Sequence, residues 1–115
     1  MIAAARSARP REAVGIIAGN NPDPLRFIPL LNLAAEEGSF RIDEAEFARL
    51  ARSVRIQAFF HSHPTDIAAP STLDIAGARD WPDALHFIYA FQPEECLKCW
   101  RIFDGQVMPE PIEIE

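Results

Sequence analysis

Apolar and polar positions alternate between two periods along the chain. Residues 2–8 (IAAARSA) are rich in helix formers, and Pro10 limits that first helix. From Glu12 the run EAVGIIAG is apolar on both faces, which predicts a buried central strand ending at the turn signal Gly19-Asn20-Asn21-Pro22. LRFIPLLNLA (25–34) is a second extended run, in which Pro29 marks an irregularity or a sheet edge. The period then changes. Phe47, Leu50, Ala51 and Val54 recur at i, i+3, i+4 and i+7 behind a capping box of Asp43 and Glu46, predicting a helix. IQAFFHSH (56–63) returns to strand, PSTLDIAGARD (70–80) opens a further helix, and Trp81-Pro82 ends it. LHFIYAF (85–91), LKCWRIF (97–103) and QVMPEPIEIE (106–115) predict three more strands, the last two joined by an Asp104-Gly105 hairpin turn. Helices alternating with strands, then a β-rich tail, give an α/β domain with a mixed sheet and helices packed on it.

Length and composition narrow the class. The 115 residues suit one domain, 1–115, with one core, and no repeat or low-complexity tract divides it. Although 49% of residues are hydrophobic, no run approaches the roughly 18 residues of a membrane span. The start, MIAAARSARP, has too short an apolar stretch for a signal peptide, so the expected compartment is the cytoplasm, with both cysteines reduced. A net charge of −6, a single lysine (Lys98) and ten scattered arginines argue against a nucleic-acid partner.

Candidate chemistry concentrates in FFHSHPTDIAAPSTLDIA, residues 59–76. On a strand His61 and His63 face the same way, with Ser62 opposite, and two imidazoles so spaced can share one metal ion. Pro64 ends the strand, which puts the pair at its C-terminal end, where α/β sheets build their sites. Asp74 follows after a loop of suitable length, and two histidines with one carboxylate leave a tetrahedral Zn²⁺ one open position. Each half also has a plain reading. A His-x-His pair is more often solvated or locally hydrogen-bonded, and Ser71-x-x-Asp74 is a helix cap that needs no chemistry.

Together, His61, His63, Pro64, Ser71 and Asp74 spell H-x-H-P-x6-S-x-x-D, which resembles the signature of the JAMM metallopeptidases, the zinc-bearing branch of the MPN domains. The family's upstream P-x-E-x-x-G context is matched by Pro10-Arg11-Glu12-Ala13-Val14-Gly15, followed by Ile16-Ile17-Ala18-Gly19. Asn32 and the ending WRIFDGQV agree with small bacterial members, and the resemblance covers nearly the whole chain. It implies a cytidine-deaminase-like MPN domain with a mixed central sheet flanked by helices. It further implies one Zn²⁺ on His61, His63 and Asp74 with a bound catalytic water, Glu12 as general base and acid, and Ser71 as oxyanion donor. The implied substrate is the amide bond after the C-terminal glycine of a ubiquitin-like or sulfur-carrier protein, peptide or isopeptide. Two alternatives accompany it: a peptidase of phage-tail assembly, and a metal-free MPN scaffold, against which the retained ligands, Glu12 and Ser71 argue. One departure is a short first helix, which leaves a sheet face for a homo-oligomer or a partner protein to cover.

Other polar residues carry less. Ser62 has no adjacent base and is no nucleophile, and His86, in an apolar strand, is expected to be a core or edge residue. Cys96 and Cys99 open a strand, where positions i and i+3 face opposite sides, so one buried and one accessible thiol are expected without a redox role. Trp100 and Phe103 read as packing.

Overall fold

Strands β1 (Val14–Ala18), β2 (Arg26–Leu30), β3 (Ile56–His63), β4 (Leu85–Ala90), β5 (Cys96–Phe103) and β6 (Gln106–Glu110) form one sheet in the computed structural model. Residues 1–20, 25–34 and 40–112 are described. The order is β2-β1-β3-β4-β5-β6, with β3 and β4 parallel and every other pair antiparallel, so the sheet is mixed as expected. A parallel pair needs a crossover. Here it is made by residues 64–84, which contain helix α3 (Thr72–Gly77) and a 3-10 turn at Ala78–Asp80. The crossover starts at the C-terminal end of β3 and so brings α3 back beside the histidines.

Helix α1 (Ile2–Ala8) covers one face: Ala5, fully buried, packs with Phe60, Tyr89 and Phe91. Small alanines let this seven-residue helix approach the sheet closely. On the same face Phe27 meets Phe60 edge-on, ring centroids 5.5 Å apart, over Gly15, whose missing side chain makes room for the Phe27 ring. Phe60 is fully buried, worth about 1.5–3 kcal/mol, and anchors β3 from behind the histidines. Beyond the reach of α1, Met108 on β6 stays exposed. The other face carries helix α2 (Glu44–Ser53), whose Phe47 packs on Phe59 at 6.1 Å and on Trp81 at 5.7 Å.

The differences from expectation lie at element ends. Asp43 does cap α2, but its side chain accepts from Ala45 N at 3.0 Å instead of closing a box with Glu46. The α2 stripe of Phe47, Leu50 and Val54 is half-buried and Ala51 is exposed, so the helix lies at the rim of its layer. Strand β6 stops at Glu110, short of the expected 115; residues 113–115, like Asn21-Pro22 of the first turn, lie outside the described residues. Asp104 (φ 53°) and Gly105 (φ 75°) both adopt the left-handed conformation of a type I′ hairpin turn. Pro29 sits in β2, which is an edge strand. Among the described residues no helix is long and apolar enough to cross a membrane.

Candidate metal centre

His61 and His63 emerge from the same face at the C-terminal end of β3, both buried. Their Nε2 atoms stand 2.9 Å apart, and Asp74 Oδ2 lies 3.1 Å from the first and 3.2 Å from the second. Three such contacts cannot all be hydrogen bonds in neutral rings. His63 Nδ1 is 2.8 Å from the Ile67 carbonyl oxygen, which can only accept, so Nδ1 carries the proton of the neutral ring and Nε2 then presents a lone pair. That lone pair faces a carboxylate oxygen and a second imidazole nitrogen, an arrangement that asks for a cation. A tetrahedral ion with bonds of about 2.0–2.1 Å needs donors about 3.3 Å apart, close to the observed triangle, and two imidazoles with one carboxylate suit Zn²⁺.

Asp74 is aimed by the start of α3. Ser71 N donates to Asp74 Oδ2 at 2.8 Å and Asp74 N donates to Ser71 Oγ at 3.2 Å, the reciprocal capping box read from Ser71-x-x-Asp74. Burial pushes the Asp74 carboxyl up, but the hydrogen bonds from His61 and His63 outweigh it and hold the group well below the usual carboxylate range. Burial also pushes His63 down, but the charged ring, with a proton on each nitrogen, donates to both Asp74 and Ile67, and these bonds prevail and raise it.

Glu12 stands just ahead of β1, buried, with a carboxylate oxygen within 4.8 Å of a ring nitrogen of each histidine. Burial raises its pKa to about 7, with the His63 charge pulling it down and Asp74 pushing it up. Two donor sets could therefore hold an ion, Glu12 or Asp74 completing the histidine pair. Asp74 is the stronger candidate, being in direct contact with both nitrogens and held ionised, which leaves Glu12 free beside them. Its backbone is fixed on two sides. Asn32 Nδ2 donates to Glu12 O at 3.0 Å, while Ala13 N donates to Ser62 Oγ at 2.8 Å and Ser62 N to Ala13 O at 3.0 Å. Ser62 points away from the histidines, as the strand period requires.

A cleft of about 390 Å³ opens over the cluster, lined by Glu12, His63, Ser71 and Asp74 with Phe40 and Leu73 at its rim. Phe40 lies against His61, ring centroids 5.2 Å apart. A larger cleft of about 730 Å³ between α3 and the β5–β6 hairpin contains Arg79 and Phe103 and lies away from the chemistry. His86 is buried and stacks on Phe59 at 5.7 Å; among the described residues its Nε2 has no hydrogen-bond partner. Cys99 is buried and Cys96 half-buried, both free thiols.

Sequence reasoning assigned no role to Asn32, and it gave Trp100 only packing; the indole Nε1 also donates to Ala68 O at 2.9 Å. The Ile67 carbonyl that orients His63 was likewise unmarked.

The family profile described as prokaryotic homologs of the JAB domain matches residues 1–103. Proteins of Mycobacterium bovis and Mycobacterium tuberculosis named CysO-cysteine peptidase are 31% identical over 123 aligned positions, covering 99% of this chain and 84% of theirs. A solution structure from Desulfitobacterium hafniense superposes with a TM-score of 0.80 at 30% identity, over all of this chain and 86% of the other. A JAB1/MPN domain protein from Archaeoglobus fulgidus does so with a TM-score of 0.56 at 22% identity, over 93% of this chain and 84% of its own, a likeness of fold. With the profile running from the first residue through β5, and the histidines, Ser71 and Asp74 assembled at one end of β3, this chain belongs to the prokaryotic homologs of the JAB domain.

Proposed function

We propose that residues 1–115 form a single-domain zinc peptidase that hydrolyses the amide bond after the C-terminal glycine of a sulfur-carrier or ubiquitin-like protein. The observation that carries this reading is the convergence of His61, His63 and Asp74 within 3.2 Å, with the buried Glu12 carboxyl beside them. His61 Nε2, His63 Nε2 and Asp74 Oδ2 would hold the ion. When bound, Zn²⁺ supplies a Lewis acid that brings water toward ionisation near neutral pH.

The rest is done by the chain. A carboxyl with a pKa of about 7 is substantially ionised at neutral pH, so Glu12 can take a proton from the attacking water. The water oxygen bonds to the scissile carbon, and Glu12 returns that proton to the amide nitrogen as the C–N bond breaks. Ser71 Oγ accepts from Asp74 N, which leaves its own proton free to donate to the carbonyl oxygen as charge builds there. Phe40 and Leu73 border the cleft with apolar surface suited to an extended, glycine-ended tail.

The name of the mycobacterial relatives, CysO-cysteine peptidase, supports a carrier protein joined to an amino acid as the substrate. A metal-free scaffold would have no use for a buried carboxyl beside two converging histidines. The test is zinc content of the purified protein, followed by cleavage of a carrier whose terminal Gly-Gly is extended by cysteine, with a Gly-Gly–lysine isopeptide as competitor. One zinc per chain and release of the free carrier are expected. Protein that neither carries nor binds zinc removes the reading.

A further inference from the structure

Trp100 lies on β5, two strands away from His63, and pairs across the ladder with His86. Its indole Nε1–H donates to the Ala68 carbonyl at 2.9 Å. The preceding carbonyl, Ile67 O, accepts from His63 Nδ1 at 2.8 Å and from Ala69 N at 2.9 Å. Ile67 N in turn donates to Asp66 Oδ1 at 2.8 Å, a bond internal to the turn. The Trp100 bond is different in kind, because it ties the turn to β5, at the far side of β4. Ala68 is buried beside Ile88 and Ala90, with the half-buried Trp100 packed against the three, so the bond lies in a largely apolar setting where an unmatched carbonyl is costly. A phenylalanine could supply the packing; only tryptophan adds a donor at that ring position.

We propose that Trp100 is a positioning residue for the metal centre: by holding the Ala68 carbonyl it fixes the Ile67 carbonyl that keeps the proton on His63 Nδ1 and the Nε2 lone pair facing His61 and Asp74. Outer-shell partners of metal-binding histidines typically contribute 10–100-fold in metal affinity. The inference rests on the metal reading of the site, but its first readout does not need the metal.

In metal-free protein labelled with ¹⁵N-histidine, at a pH high enough for the His63 ring to be neutral, long-range ¹H–¹⁵N correlation should find its proton on Nδ1. In Trp100→Phe, with circular dichroism near that of the wild type, His63 should divide between tautomers. Its Zn²⁺ affinity, measured by competition with a chromophoric chelator, should fall about tenfold or more. Loss of packing alone would lower the melting temperature and leave tautomer and affinity unchanged, and that result overturns the proposal. Should Trp100→Phe not fold, the wild type still decides: a neutral His63 ring whose one proton sits on Nε2, or a Trp100 indole proton exchanging as fast as a free indole, overturns it equally. Wild-type protein with the expected tautomer but no peptidase activity would count against the proposed function and leave the positioning role standing.

Discussion

Ser71 and Asp74 cap one another, and the Asp74 oxygen that closes the cap is the one that faces both histidines. The donor holding that oxygen is the Ser71 backbone N–H, which any residue but proline retains. Ser71→Ala should therefore lose the N-cap, about 0.5–2 kcal/mol, and about 10²–10³ in rate, while Zn²⁺ affinity stays within a few-fold. Ser71→Thr should recover most of the stability. Thermal melting, zinc titration and turnover separate the three effects; a large drop in zinc affinity in Ser71→Ala would contradict the assignment of Asp74 to its backbone donor.

Glu12→Gln should keep the fold and the zinc and lose about 10²–10⁴ in turnover. It should also change the pH dependence of stability in the metal-free protein. The folded-state pKa of about 7 exceeds the ordinary 4.5, so the folded chain binds the extra proton in that window. The resulting stability is complete below the lower value and lost as pH rises through the upper one. His63, raised as well, acts in the same direction. Denaturant melts across this range should slope downward with pH in the wild type and less so in Glu12→Gln; equal slopes would place the Glu12 carboxyl in water.

His86 predicts the opposite slope. Burial, with the His61 charge adding to it and Asp74 opposing, lowers its pKa from 6.5 to about 4. Stability is complete above the higher value and lost as pH falls through the lower one, because the unfolded chain takes the proton first. His86→Leu should flatten that acid limb. It should be neutral or stabilising at neutral pH, since it removes a buried nitrogen without a partner among the described residues. A clear loss of stability at neutral pH would show that the nitrogen is satisfied.

Gly15→Ala tests the face under α1. A methyl there would meet the Phe27 ring and come within 2.8 Å of the Ile28 carbonyl oxygen. Overpacking of this kind costs about 1–3 kcal/mol, read as a lower denaturant midpoint with an unchanged slope. A smaller side chain at Phe27 should recover part of it, leaving the backbone clash.

The candidate site was legible because its signals are local. Strand alternation put His61 and His63 on one face, Pro64 ended the strand, and Ser71 and Asp74 announced their helix through a cap three residues wide. Glu12 was legible only through the resemblance, since a carboxylate at a strand entrance is otherwise ordinary. What escaped are bonds between distant segments. Asn32 reaches Glu12 across 20 residues and Trp100 reaches Ala68 across 32, and neither separation leaves a mark in the periodicity. The same holds for His86: its place in an apolar strand was readable, its unmatched nitrogen was not.

Ser62 has the least conspicuous position in the motif, between two histidines and facing the other way, and no solvent reaches it. Its hydroxyl and its amide both engage Ala13, the residue after Glu12. A strand that slipped by one residue against its neighbour would turn every side chain to the opposite face. Here such a slip would carry the glutamate to one side of the sheet and leave the histidines on the other. The pair of bonds at Ser62 works as an alignment pin, set at the point where a misregistered ladder would still bury its aliphatic residues yet take the centre apart.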